Sequence, residues 1–151
     1  MKMTSDPNAS RKAWLSLLAK SPAADVARHW ASLGLTPEHI VLRSPEVGGV
    51  MVRGRAGAVG AAFNLGEMTV TRASVKLSDG TIGHGYVQGR SKEQALQAAL
   101  VDALMHTDAS GTVEAGLLAP LREAMSARQT GRAAKAAATK VDFFTMVRGE
   151  D

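Results

Sequence analysis

The residues able to do chemistry in this chain are mostly cations beside glycines. Arg53-Gly54-Arg55-Ala56-Gly57-Ala58-Val59-Gly60 sets two arginines in a glycine-rich run. Guanidinium groups with pliant backbone amides can hold phosphoryl oxygens. The run lacks a Lys-Ser/Thr ending and the GxGxxG spacing, so it is neither a P-loop nor a dinucleotide fingerprint. Turn chemistry is the competing reading. Asn64 and Glu67 follow it, but one carboxylate without a placed partner does not define a general base. The four histidines, His29, His39, His84 and His106, fall in no metal-ligand spacing, so no metal site is expected. No nucleophile elbow or Ser/His/Asp set can be defended.

The hairpin around Asp79-Gly80 places more candidates. A two-residue turn would pair Val75 with His84 and Ala73 with Tyr86. One face would then carry Ala73, Val75, Leu77, Ile82, His84 and Tyr86. The other would carry Arg72, Ser74 and Lys76 opposite Gly83 and Gly85. A basic strand beside a bare one would make a shallow groove for phosphate or a partner loop, since strand glycines often mark close approach. A solvated face is the plain alternative. His84 would sit on the apolar face as a core or interface residue.

The elements that must position these residues are legible in the periodicity. Residues 10–20 predict a helix capped by Ser10, with Trp14, Leu17 and Leu18 on one face. Ser21-Pro22 opens a second helix, with Val26, Trp30 and Leu33 inward and Gly34 as its stop. Both Trp are expected between these two helices. From residue 40 the period is two: Ile40–Leu42, a break at Ser44-Pro45-Glu46, Val50–Arg55, a loop over residues 56–62, Met68–Leu77 and Thr81–Gln88. Ser91-Lys92-Glu93-Gln94 is a capping box opening a helix to about His106, with Leu96, Leu100, Ala103 and Leu104 inward. After a loop near Asp108–Gly111, a last helix spans about 117–140, with Pro120 in its first turn. Arg128, Arg132 and Lys135 form a basic stripe on it. With no aromatic residue between Arg122 and Lys140, the stripe has no stacking platform for a single-stranded nucleic acid. The fold class is α+β: an antiparallel sheet of three to four strands, including the Met68–Gln88 hairpin, with helices on one face and an extended C-terminal tail.

At 151 residues a single domain over residues 1–151 is expected: a helical N-terminus (10–34), a sheet (40–90), helices (91–140) and a partner-docking tail (141–151). Without cysteine there is no disulfide framework and no thiolate chemistry. No secretory leader or membrane span is read, so the cytoplasm is the expected location. The net charge of +4 and a pI near 9.8 suit anionic partners without naming nucleic acid. Two of three Phe sit in the last residues, Lys140-Val141-Asp142-Phe143-Phe144-Thr145-Met146-Val147-Arg148. Each carries roughly 150–250 Å² of surface that needs burial, and termini seldom hold such residues idle. Either the tail folds back into its own core or it docks into another subunit; docking is the expectation, through Val141, Phe143, Phe144, Met146, Val147 and Arg148.

Several motifs together resemble the PhnG family, the G subunit of the carbon–phosphorus lyase system. They are Arg11-x-x-Trp14, Val50–Gly57, Phe63-Asn64-Leu65-Gly66-Glu67-Met68-Thr69-Val70-Thr71-Arg72, Asp79-Gly80, Gly83–Val87, Gly89-Arg90 and Thr139–Gly149. Ala62 and Ala73 depart from the family pattern, where Pro and Cys are common. The resemblance implies a bacterial subunit of phosphonate catabolism, assembled with the H, I and J subunits and acting with the L protein. It implies participation in alpha-D-ribose 1-methylphosphonate 5-triphosphate synthase, a transferase that displaces adenine from MgATP with an alkylphosphonate. MgATP is then the substrate of the complex, and this chain has no cofactor and no catalytic residue of its own. Nucleosidase chemistry belongs to the I subunit and radical C–P cleavage to the J subunit's iron–sulfur cluster. Phosphate or partner contacts are expected at Arg53, Arg55, Glu67, Arg72, Lys76, His84 and Arg90. The competing hypotheses are an independent nucleotide- or phosphonate-binding enzyme using Arg53, Arg55, Glu67 and His84, and a small basic nucleic-acid binder.

Overall fold

A computed structural model of the chain describes residues 6–55, 57 and 60–140. Its elements run α1 (Pro7–Lys20), α2 (Ala23–Leu33), β1 (His39–Arg55), β2 (Ala62–Leu77), β3 (Ile82–Gln88), α3 (Lys92–Leu104), α4 (Ser110–Val113), a π-helical turn (Glu114–Leu118) and α5 (Ala119–Ala138). The α+β expectation holds: one antiparallel sheet in the order β1-β2-β3, with the helices against one face.

The hairpin register differs from the two-residue expectation by one position. Lys76 pairs with Ile82, Ser74 with His84, and Arg72 with Tyr86. The Leu77 amide donates to Thr81 O at 2.8 Å, so Ser78-Asp79-Gly80 is a three-residue loop, and Gly80 takes the left-handed φ of +93° it requires. A one-residue slip moves every side chain of β3 to the opposite face. Gly83, Gly85 and Val87 therefore face the core with Ala73, Val75 and Leu77, and Ile82, His84 and Tyr86 face outward. The proposed groove of bare glycines beside Arg72 and Lys76 does not exist. The glycines admit a helix instead. A Cβ on Gly83 would lie 2.0 Å from Ala99 O, and one on Gly85 would lie 2.0 Å from Ala95 O. Ala95, Ala99 and Ala103, four residues apart, form the matching bare stripe of α3.

Other boundaries shift for local reasons. Asp6, not Ser10, caps α1, its carboxylate accepting from the Asn8 amide at 2.9 Å. Ser21 closes α1 rather than opening α2: its hydroxyl donates to Leu17 O at 2.7 Å, and Pro22 takes the N-cap position. Ser91 caps α3 as expected, but Gln94 does not reach back. Its side-chain amide donates to Leu18 O at 3.1 Å and Ser21 O at 2.8 Å, tying the end of α1 to the start of α3. The expected break at Ser44-Pro45-Glu46 is absorbed as register shifts within one long β1, between Val41 and Arg43 and between Arg43 and Glu46. Ser110 and Gly111 are helical, and the π-helical turn over Glu114–Leu118 lets the helix run on into Pro120, near the start of α5. Leu96 is only half-buried, whereas Leu100, Ala103 and Leu104 are buried. Beyond Arg128 every described residue of α5 is exposed.

The sheet is uneven in length. β3 pairs with β2 only from Val70 to Lys76. Beyond it, among the described residues, β1 and β2 continue alone to Arg55 and Ala62 as a two-stranded arm.

Candidate functional site

The side-chain cluster that the sequence analysis overlooked is centred on Asp102 of α3, which is fully buried. Its Oδ1 accepts from Arg11 Nε at 3.1 Å and Trp14 Nε1 at 2.9 Å. Its Oδ2 accepts from Arg11 Nη2 at 2.8 Å and from the His84 amide at 2.9 Å. His106 Nε2 lies 3.9 Å away, and its ring meets Trp14 edge-on with centroids 5.7 Å apart. Trp14 thus docks on α3 rather than between α1 and α2. Burial pushes the Asp102 carboxyl up, but hydrogen bonds from Arg11, the His84 amide and Trp14, with the Arg11 charge, hold it below its ordinary value. The same pair pushes Arg11 up, through its hydrogen bond and charge contact with Asp102 against a smaller desolvation effect. Four donors on one carboxylate pin α1, α3 and β3 together. A signal was present: Arg11 and Trp14 lie three apart on one helix face, and Asp102 interrupts the Ala98–Leu104 run.

Arg72, Lys76 and His84 do come together, on the outer face of the sheet. By register that face carries Ile40, Arg43 and Glu46 from β1, Arg72, Ser74 and Lys76 from β2, and Ile82, His84 and Tyr86 from β3. His84 is exposed, and its Nδ1 lies 2.8 Å from Ser74 Oγ. It is not on the apolar face, as the two-residue turn implied. Glu46 Oε2 is shared by Arg43 at 3.3 Å and Arg72 at 3.8 Å. Two arginines thus share one carboxylate, while Lys76 lies further along β2, opposite Ile40 and beside a cleft that Glu38 also lines. Ile40 (60% exposed), Ile82 (44%) and Tyr86 (44%) leave large apolar surface among them. His84 and Tyr86 also border an open groove of about 560 Å³ along α1, where Arg11, Lys12, Leu15 and Ala19 form the other wall. Among the described residues, no carboxylate lines that groove.

The remaining candidates lie elsewhere. Glu67 is on the arm, its carboxylate over Gly49, and it borders a small cleft of about 360 Å³ with Arg90 and Thr69. Arg53 and Arg55 are the last residues of β1, opposite Asn64 and Ala62 and exposed. Asn64 is ten residues along β2 from Ser74, the partner of His84, or roughly 33 Å of strand. Arg53, Arg55, Glu67 and His84 therefore do not converge on one substrate. Arg128 of the basic stripe pairs with Asp25 at 3.7 Å. The tail residues Val141, Phe143, Phe144, Met146, Val147 and Arg148 lie outside the described residues. Among the described residues no group of three or more His, Asp or Glu side chains could hold a metal ion.

Comparison with known proteins matches residues 9–149 to the family described as "Phosphonate metabolism protein PhnG". The chain is 43% identical over 143 residues to the alpha-D-ribose 1-methylphosphonate 5-triphosphate synthase subunit PhnG of Rhizobium meliloti (strain 1021). The match covers 95% of this chain and 92% of that protein. With the match extending from α1 into the C-terminal segment, the chain belongs to the PhnG family of phosphonate metabolism proteins.

Proposed function

We propose that this chain is an accessory subunit of a cytoplasmic carbon–phosphorus lyase core complex, needed for the step in which an alkylphosphonate displaces adenine from MgATP. The H, I and J subunits are its partners in the assembly and the L protein its functional partner. The chain shapes the transferase and supplies no reacting group. One observation carries this reading: the outer face of the sheet bears the exposed cations Arg43, Arg72 and Lys76, with Glu46 shared by the two arginines, and exposes Ile40, Ile82 and Tyr86 between them. Cations interleaved with large apolar groups suit a protein partner with a complementary acidic rim. The printed name of the Rhizobium relative, a synthase subunit, supports the same reading. A second contact is assigned to the tail, through Phe143, Phe144 and their neighbours. Among the described residues, no helix is long and apolar enough to cross a membrane.

The test is reconstitution. Adenine release from MgATP in the presence of methylphosphonate is measured with the H, I and L proteins, with and without this chain. Activity that depends on the chain, combined with no calorimetric binding of MgATP or methylphosphonate to the chain alone, is the expected result. Full activity without it, or tight nucleotide binding by the isolated chain, would overturn the proposal.

A further inference from the structure

From the amphipathic build of the arm we infer that its apolar face is a second docking element, seated on a partner subunit's apolar strip flanked by carboxylates; this rests on the function proposed above. The arm pairs Gly48 with Val70, Val50 with Met68, Val52 with Gly66 and Gly54 with Phe63. Residues directly opposite share a face. That face therefore carries Val50, Val52, Phe63 and Met68, and Leu65 lies over Gly54 on the same side. No charged residue is among them. The other face carries Met51, Arg53, Arg55, Asn64 and Glu67. Phe63 is 45% exposed and Leu65 62%.

A two-stranded ribbon is marginal in water by itself. Among the described residues no third strand reaches it, because β3 ends at Gln88 opposite Val70. By strand parity, the apolar face continues into the open face that bears Arg72 and Lys76. The result is one face, apolar along the arm and basic at the sheet, with the buried Val70 at the junction. A second copy of the chain is a poor occupant. A two-fold contact centred on the sheet face would set Arg43, Arg72 and Lys76 of one copy against the same cations of the other, and one centred on the arm would leave those cations without acidic partners. A different subunit with an apolar strip and acidic flanks satisfies both halves.

The test compares the wild-type chain, the double variant Phe63→Ser/Leu65→Ser and the opposite-face control Met51→Ser, each co-expressed with the H, I and J subunits and weighed as intact complexes. Amide exchange over β1 and β2 reports whether the arm still forms. The double variant is expected to weaken assembly roughly 30-fold or more, as loss of a buried apolar anchor does, while the control assembles normally. Normal assembly of the double variant overturns the inference alone, and so does equal loss in the control. Concentration-dependent dimers of the isolated chain, abolished by the double variant, would assign the face to a second copy. Arm protection in the isolated chain that vanishes on truncation before Val141 would assign it to the chain's own tail. A wild-type chain that never assembles overturns the proposed function and this inference together.

Discussion

Replacing Asp102 by Asn keeps the shape of the side chain and removes its charge. The carboxylate accepts two donors on each oxygen: Arg11 Nε and Trp14 on one, Arg11 Nη2 and the His84 amide on the other. An asparagine carbonyl can serve only one of these pairs, and its NH2 then confronts the other pair donor to donor. Breaking a buried ion pair from one side costs about 3–5 kcal/mol. Arg11 is 33% exposed and can turn toward water, which favours the lower end. At about 2–4 °C per kcal/mol for a chain of this size, 3 kcal/mol predicts a melting temperature lower by roughly 6–12 °C. The assay is urea and thermal unfolding followed by Trp fluorescence, since Trp14 reports the site directly. A loss under about 1 kcal/mol would refute the view that Asp102 is the pin between α1, α3 and β3. The pH dependence supplies an internal check. A carboxyl held below its unfolded value contributes stability above the unfolded range, near 3.9. That contribution is lost as pH falls through the lower folded value. The difference between wild type and variant should therefore be full at pH 6 and shrink below about pH 4.

Three further outcomes follow from the packing. Gly85→Ala places a methyl 2.0 Å from Ala95 O, so it should cost about 1–3 kcal/mol in urea unfolding, whereas Gly48→Ala, with nothing within 4 Å, should be near neutral. Gln94→Leu strands the carbonyls of Leu18 and Ser21 and should cost about 1–3 kcal/mol, seen also as faster amide exchange at the end of α1. Arg72→Glu/Lys76→Glu, at exposed positions, should leave the melting temperature within a few degrees while abolishing adenine release in the reconstituted synthase. Retained activity would free the sheet face from any role.

Much of the architecture was legible in the residues. Gly34 ends α2 with the left-handed φ of +64° expected of it, and Ser91 caps α3 through the Gln94 amide. The hairpin was misplaced because Asp79-Gly80 fits two loop lengths equally well. Only the packing of Gly83 and Gly85 against Ala95 and Ala99 decides between them, and that is a tertiary fact. The slip carried the site with it: Arg72 and Lys76 were placed correctly on the face away from the core, but His84 and Tyr86 were assigned to the apolar face. Asp102 went unseen because its donors lie 18, 88 and 91 residues away, beyond any local pattern. The arm was missed because the strand after Val50–Arg55 was begun at Met68, whereas β2 starts at Ala62, which pairs with Arg55.

The central claim is that this chain works as a subunit held by an open sheet face and its arm. Native mass spectrometry of the tagged chain, co-expressed with the H, I and J subunits, tests it most directly. A stoichiometric complex, lost in the Arg72→Glu/Lys76→Glu variant and weakened by truncation before Val141, is the predicted result. A folded chain that stays alone beside its intact partners would contradict it.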